Sequence, residues 1–479
     1  MYLTIMKSSN VLVVDLDGTL LRSDMLFESF WSAFSINWLS PVSSVAALSH
    51  GKAALKQHLA SKATIDVESL PYDGEIIAYI QNWRSTGGRT ALVTASDQSL
   101  AQPIAAHLGL FDEVHGSDGD RNLRGEQKAK FLQERYGENG FSYMGDSTAD
   151  LPVWAKASKA ITVNASDTLC AKTDAVAADV EHLTTGQKSI DPYLKALRPH
   201  QWLKNVLVFL PMLASHQLDW ATFMISMLAF VSFSPIASSV YVLNDLLDLQ
   251  ADRAHPRKCK RPFASGSVPI EHGTWMSAAL FVIGGGVALA FSYKLFVVVL
   301  GYYLLTLAYS LYLKRQIVID VCTLAGLYTL RIIAGSVVTG IPISVWLWVF
   351  SIFFFFSLAS VKRQAELIGN TERGISTANG RGYHTADLPI ISMMAIASGY
   401  VSVLVMALYV NSPEVLILYP APAALWGISG VLLFWITRTI MLAHRGQMHD
   451  DPLVYAVKDR ISQICFLAIL GFAIAGTVA

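Results

Sequence analysis

Charged residues are few: Asp, Glu, Lys and Arg make up 15% of the 479 residues, while 53% are hydrophobic. A polar coat this thin excludes an ordinary soluble protein and points to a membrane protein. An excess of one sign is missing too, because 36 Lys and Arg balance 36 Asp and Glu. A nucleic-acid partner therefore has no electrostatic footprint, and any charged function must come from local clusters. Cysteine is rare and scattered: Cys170, Cys259, Cys322 and Cys465 stand without the spacing of a zinc site or a disulfide framework. All four read as structural in a reducing environment. Met1 to Asn10 carries Lys7 but neither the long apolar core nor the cleavage site of a signal peptide, so the N-terminal domain is expected to stay cytosolic.

What is present is unevenly spread. Up to about Ser189 charged and apolar residues mix as in a globular domain; from Trp202 onward apolar runs repeat to the end. The shift predicts a two-domain chain: an α/β domain over 1–174 with a small helical cap at about 24–72, a polar linker over 175–197, and an all-α polytopic membrane bundle over 198–479. Nine transmembrane helices are predicted near 203–217, 221–243, 272–292, 295–313, 317–338, 343–361, 388–410, 414–437 and 461–478, most close to the roughly 20 residues a bilayer needs. Alternate connections hold the basic residues: Arg253, Arg257, Lys258, Lys260 and Arg261; Lys314 and Arg315; Lys362, Arg363, Arg373 and Arg381; Arg438, Arg445, Lys458 and Arg460. The opposite connections hold almost none beyond Lys294, which predicts an odd number of spans with the C-terminus outside. Trp202, Trp220, Trp346 and Trp348 near span ends suit the aromatic belt.

Residues 11–20 read VLVVDLDGTL, an apolar strand ending in two carboxylates and a glycine turn. Asp15 and Asp17 thus project from the C-terminal end of a strand, the ligand edge of an α/β sheet. A second strand, TALVTAS, brings Thr94; FSYMGDSTAD delivers Asp146 with Asp150 one helical turn later; Lys128 lies between them in GEQKAKF. These four motifs, in order across roughly residues 11–154, resemble those of the haloacid dehalogenase superfamily. The resemblance implies a Rossmann-like phosphatase domain in which Asp15 is the nucleophile forming an aspartyl phosphate and Asp17 the acid and base. It further implies that Asp146, Asp15 and the Asp17 main-chain carbonyl hold Mg2+ with help from Asp150, while Thr94 and Lys128 orient and neutralise phosphoryl oxygens. The competing reading is a degenerate fold kept as a spacer, although no charged member of the set is lost. Phe27, Phe30, Trp31, Leu55 and Leu59 give the cap segment its helical pattern; such a cap selects the substrate, and nothing in it names the phosphate ester.

The second span ends in SSVYVLNDLLDLQADRAHPRKCKRPFASG, where Asn244, Asp245, Asp248 and Asp252 follow at helical spacings on one face. Three aligned carboxylates repel one another unless a cation sits among them, and magnesium bound to phosphate oxygens meets that need. The alternative is a positive-inside loop with solvated charges, a rule that accounts for Arg253, Arg257, Lys258 and Arg261 but not for three aspartates. N-D-x-x-D-x-x-x-D resembles the signature of the UbiA family, with a likeness over about residues 195–479. RPHQWLKNVLVFLP, HPRKCKRPFASG, LYTLRIIAG, VKRQAEL and VKDR narrow it to the decaprenyl-phosphate phosphoribosyltransferase subfamily.

The resemblance implies a membrane transferase that uses phosphoribosyl diphosphate and a polyprenyl phosphate, with a second Mg2+ site at Asp245, Asp248 and Asp252 and with Asn244, Lys258 and Arg261 on the substrate. It also implies a bacterial cytoplasmic membrane. The chain departs from ordinary UbiA prenyltransferases at the end of the sixth span, where Lys362, Arg363 and Glu366 stand in place of a second aspartate-rich motif and suit a substrate phosphate. Arg331, inside the fifth span, either binds an anion or forms a structural ion pair. Lys204 and Asn205 either meet phosphate or snorkel to the interface. Asp459 and Arg460 complete the polar mouth or pair with each other. Two further readings stay open: an aromatic prenyltransferase using a polyprenyl diphosphate beside an unrelated or inactive phosphatase domain, and a non-enzymatic lipid transporter, whose charges belong at mid-bilayer on broken helices. The oligomeric state is not encoded in these motifs.

Overall fold

The computed structural model describes residues 11–118, 121–186, 189–374, 381–448 and 451–478. The expectation for Met1 to Asn10 lies outside them. The chain divides into two compact units: Met1–Ala196 with Val242–Met276, and Leu197–Tyr241 with Ser277–Ala479. The cysteines are all free thiols.

The first unit is built on a parallel sheet of β1 (Val11–Val14), β2 (Arg89–Asp97), β3 (Glu113–Ser117), β4 (Phe141–Gly145), β5 (Lys159–Val163) and β6 (Val180–Leu183), in the order β3-β2-β1-β4-β5-β6. Every residue of β1 is buried, as befits a central parallel strand covered on both faces. Alternation sends Leu12 and Val14 to one core, with Ile76, Ile80 and Ile104, and Val11 and Val13 to the other, with Leu132, Phe141 and Trp154. The strand order switches direction around β1, so the connections after neighbouring strands diverge and open a crevice at their carboxyl ends. Asp15 follows β1, Thr94 lies late in β2 and Asp146 follows β4.

The chain leaves the sheet after Leu21 and returns at Tyr72, which bridges back to Leu21. Between them run three helices, α1 (Met25–Ile36), α2 (Ser40–Leu48) and α3 (Lys52–Lys62). Asp24 caps α1 by accepting from the Leu26 N–H at 2.7 Å. The segment 175–197, read as a polar linker, contributes β6 and a helix, Asp191–Leu197.

The connection after the second predicted span belongs to this same unit. Arg253 donates to both carboxylate oxygens of Glu28 on α1, at 2.6 and 3.1 Å. Trp31 Nε1 donates to Thr274 Oγ1 at 3.0 Å, and Tyr193 stacks on His272. Gly266, with φ of +70°, sits so close to Arg22 and Pro71 that a Cβ would collide with both.

Among the described residues eight helices are long and apolar enough to cross a bilayer: Trp220–Leu247, Ile270–Phe291, Tyr293–Leu311, Ile319–Thr339, Val345–Glu372, Thr385–Val410, Pro422–His444 and Arg460–Thr477. The chain is an integral membrane protein. The segment predicted as a ninth long helix, near 203–217, is instead a run of 3-10 turns, Pro199–Phe209, followed by the short helix Leu210–Ala214. Pro211 lacks an N–H at the junction, and the buried Lys204 and Asn205 take partners on other helices, so local hydrogen bonding does not fix one continuous α-helix.

Candidate functional site

The first cluster stands at the carboxyl edge of the sheet. The Leu16 N–H holds Asp15 Oδ1 at 2.8 Å, while Lys128 Nζ lies 3.0 Å from Asp15 Oδ2 and 4.0 Å from Asp150 Oδ1. Lys128 also donates to Tyr143 Oη at 2.9 Å, and that hydroxyl donates to Asp150 Oδ1 at 2.8 Å. One tyrosine thus ties the lysine to the acid across the sheet edge. Asp17 turns the other way, accepting from Ser96 Oγ at 2.6 Å, Thr94 Oγ1 at 3.4 Å and the Met25 N–H at 2.7 Å. Burial and the Asp24 carboxylate push Asp17 up to about 6, against its bonds from Ser96 and Met25. Burial, opposed by Lys128 but reinforced by Asp150 and Asp17, lifts Asp15 to about 6 as well.

Asp15, Asp146 and Asp150 each offer an oxygen, and the three lie within 4.8 Å of one another. Burial, with Asp15, Asp150 and Asp17 nearby, raises Asp146 to about 8. Three crowded carboxylates beside a single lysine leave negative charge that a divalent cation would offset, so the donor set fits Mg2+. Gly18, with φ of +72°, closes this cradle, since a Cβ there would run into the Asp146 carboxylate. A cavity of about 260 Å³ is lined mostly by polar residues, among them Lys56 and Gln57 of the cap and Asp97 and Ser117 of the sheet. Lys56 anchors it by donating to Ala95 O at 2.6 Å.

The second cluster is the aspartate-bearing helix end in the same unit. Asp245 and Asp252 are buried, and Arg261 Nη1 bridges them, 3.1 Å from Asp245 Oδ1 and in contact with Asp252 Oδ2. Lys258 approaches Asp252 at 3.9 Å. Burial outweighs Arg261 and lifts Asp252 to about 6. Asp248 stands where the helix breaks, ahead of the short helix Leu249–Arg253. Asn244 Oδ1 is buried and accepts no hydrogen bond among the described residues. The two buried carboxylates share one cation, the Arg261 guanidinium, whereas among the described residues three acidic oxygens converge only at Asp15, Asp146 and Asp150.

In the second unit Lys204 Nζ and Lys362 Nζ converge on Asp451 Oδ2 at 2.7 and 3.1 Å, and Tyr328 Oη donates to the same carboxylate at 3.0 Å. Burial alone would raise Asp451, but the two lysines hold it well below the usual carboxylate range. Arg331 is buried and forms no ion pair among the described residues; it donates to Asn205 Oδ1 and Tyr302 Oη, each at 2.9 Å, and lies over the Tyr302 ring. Its neutral partners leave this guanidinium without a carboxylate counter-ion among the described residues.

Arg363 and Glu366 go elsewhere. Arg363 is fully buried, pairs with Asp320 and Glu366, and shares both acids with Arg381. Adjacent helix positions point about 100° apart, so Lys362 and Arg363 face different neighbours while Arg363 and Glu366 share a face. Asp459 pairs with Arg438 at 2.6 Å rather than with Arg460. Sequence reasoning missed Ser96, Tyr143 and Asp451. Asp451, followed by proline and capping Pro452–Lys458, reads as an ordinary helix start.

Residues 205–455 match the UbiA prenyltransferase family, and residues 12–154 match haloacid dehalogenase-like hydrolases. An uncharacterized protein of Sinorhizobium fredii, y4nM, is 38% identical over 454 residues, 94% of this chain and 88% of that one. The nodulation protein NoeC of Azorhizobium caulinodans is 38% identical over 280 residues, 58% of this chain and 90% of its own. Decaprenyl-phosphate phosphoribosyltransferase of Mycolicibacterium smegmatis is 32% identical over 289 residues, again 58% of this chain and 90% of its own. With its larger part matched by one family model and its N-terminal part by the other, the chain belongs to the UbiA prenyltransferase family and carries an N-terminal haloacid dehalogenase-like domain, an enzyme with transferase-type and phosphatase-type parts.

Proposed function

We propose that the membrane domain transfers 5-phosphoribosyl from phosphoribosyl diphosphate to a polyprenyl phosphate, and that the N-terminal domain removes the 5-phosphate of the product. The observation that carries the first half is the cation set of buried Lys204, half-buried Lys362 and buried Arg331, with Lys362 at the end of the sixth span, where a second aspartate motif would otherwise bind a second diphosphate metal cluster. Cations there fit substrates that carry phosphate at both ends of the reaction. The relatives named decaprenyl-phosphate phosphoribosyltransferase support this substrate class. A lipid phosphate oxygen is already a nucleophile, so the residues need only position it and stabilise charge at the ribose carbon. Asp245, Asp248 and Asp252 would hold Mg2+, which supplies charge neutralisation for the departing pyrophosphate. Arg261, freed from Asp245 and Asp252, then grips a phosphate oxygen beside Lys258.

In the N-terminal domain Asp15 attacks phosphorus to form an aspartyl phosphate, Asp17 protonates the ribose oxygen as its bond to phosphorus breaks and later activates the water that hydrolyses the intermediate to free phosphate, and Lys128 neutralises the phosphoryl oxygens. Asp15, Asp146, Asp150 and the Asp17 main-chain carbonyl would hold Mg2+, in a domain that runs past the expected limit at 174 because β6 completes its sheet. The polar cavity around Lys56 and Gln57 suits a polyol phosphate rather than an apolar ester.

The topology read from charge gains support from distance and connectivity. The 11 residues of 3-10 helix and five of α-helix over 199–214 reach roughly 30 Å, a bilayer core. The N-terminal domain and the 242–276 connection share one unit, so the chain between them crosses an even number of times, and the Trp220–Leu247 span needs one more crossing before it. Nine crossings of a bacterial cytoplasmic membrane, N-terminal domain inside and C-terminus outside, satisfy both conditions. The test is the Asp15→Asn chain supplied with both substrates: the 5-phosphorylated lipid accumulates, and an undiminished yield of dephosphorylated lipid would refute the phosphatase half.

A further inference from the structure

The 21 residues from Ser29 to Ser49 contain no Asp, Glu, Lys or Arg. They cover most of α1, the following turn and all of α2. Within them α2 is inside out. Ser40 and Ser44 are 2% and 5% exposed, with their hydroxyls donating to Ala33 O and Ser40 O, whereas Val42 and Val45 are each 70% exposed. Ile36, Trp38, Leu39 and Leu48 extend the exposed apolar face. A cap helix in water is favoured with its valines inward and its serines outward, so this reversed pattern fits an apolar medium on the outer side.

The medium is identified by what adjoins the patch. Trp31, on α1, hydrogen-bonds Thr274 in the first turns of the Ile270–Phe291 span, and the neighbouring Trp275 is 67% exposed where an aromatic-belt residue sits. Ile36 lies five residues past Trp31, about 8 Å farther along the helix. The uncharged face is thus continuous with the end of a membrane helix in the same compact unit.

We propose that the cap inserts this face into the headgroup and upper acyl layer of the bilayer, as an interfacial segment built into the N-terminal domain. Insertion relies on apolar area and Trp38, without basic residues, so neutral lipid suffices. The opposite end of α1 bonds Asp17 through the Met25 N–H, so one helix runs from the bilayer surface to the acidic pair. The domain thereby addresses phosphates carried at the membrane surface. This goes beyond the reaction proposed above and does not depend on it, because the readout needs neither activity.

The experiment places a nitroxide spin label at Val42→Cys, Val45→Cys or, as a polar cap position, Glu68→Cys. The full chain is used, with its four native cysteines replaced by serine, at one copy per nanodisc of phosphatidylcholine. The expected result is relaxation by oxygen exceeding relaxation by a polar nickel chelate at 42 and 45, with the reverse at 68. Access of the nickel chelate at 42 and 45 equal to that at 68 would overturn the proposal. Protection of 42 and 45 from both relaxants, the mark of a protein cover, would overturn it equally.

Discussion

The two aspartate clusters of the first unit differ in where their cation stands. Lys128 contacts Asp15 and Asp150 from the flank of a set in which Asp15, Asp146 and Asp150 bring three oxygens within 4.8 Å of one another. Arg261 lies between Asp245 and Asp252 and bridges them. A flanking lysine permits a metal to join the set; a bridging arginine must give way to one. The first arrangement suits a site whose metal stays through the reaction, and the second suits a site where metal and diphosphate arrive together.

Single substitutions separate the clusters most sharply. Asp245→Asn is expected to cut ribosyl transfer roughly 10²–10³-fold while leaving phosphate release from ribose 5-phosphate unchanged, both measured on the purified chain. Comparable losses in both assays would mean that the clusters serve one reaction. Next in size is Glu28→Gln, which strands the buried Arg253 and is expected to cost about 3 kcal/mol, seen as a lowered thermal midpoint of the full chain. The exposed pair of Arg89 and Glu113 provides the contrast, with Arg89→Ala costing under about 1 kcal/mol.

A smaller effect tests the bridging role itself. Arg261→Ala should slow transfer roughly tenfold yet lower the Mg2+ concentration for half-maximal rate, because the competing cation is gone; an unchanged metal requirement would break the comparison. The smallest effect concerns pH. Asp17 must carry a proton to serve as acid, so hydrolysis of ribose 5-phosphate falls as pH rises through about 6. Asp24 raises that value, and Asp24→Asn, which keeps a good helix cap, is expected to move the fall to lower pH. A profile that moves upward or stays fixed would assign the limb to another group.

Much of this was legible because it is local. Asp15 and Asp17 share one strand end, Asp245 to Asp252 share one helix end, and the positive connections follow a charge rule that needs no tertiary structure. What was hidden depends on long-range contacts. Tyr143 reads as a core residue of an apolar strand until β4 sets it beside Lys128. Asp451 reads as a cap until Lys204 and Lys362, 247 and 89 residues away, close on it. The pairing of Arg363 with Asp320 is hidden in the sequence because the two lie 43 residues apart on different helices. The 3-10 run over Pro199–Phe209 was hidden for the same reason, since buried side-chain partners rather than propensity hold it.

The most direct test supplies the purified full chain with polyprenyl phosphate, Mg2+ and phosphoribosyl diphosphate labelled in the ribose, and weighs the lipid by mass spectrometry. Labelled ribose joined to the lipid phosphate, with pyrophosphate released, is the predicted result. Lipid phosphate recovered without ribose, from a chain that instead consumes a polyprenyl diphosphate, would contradict the account.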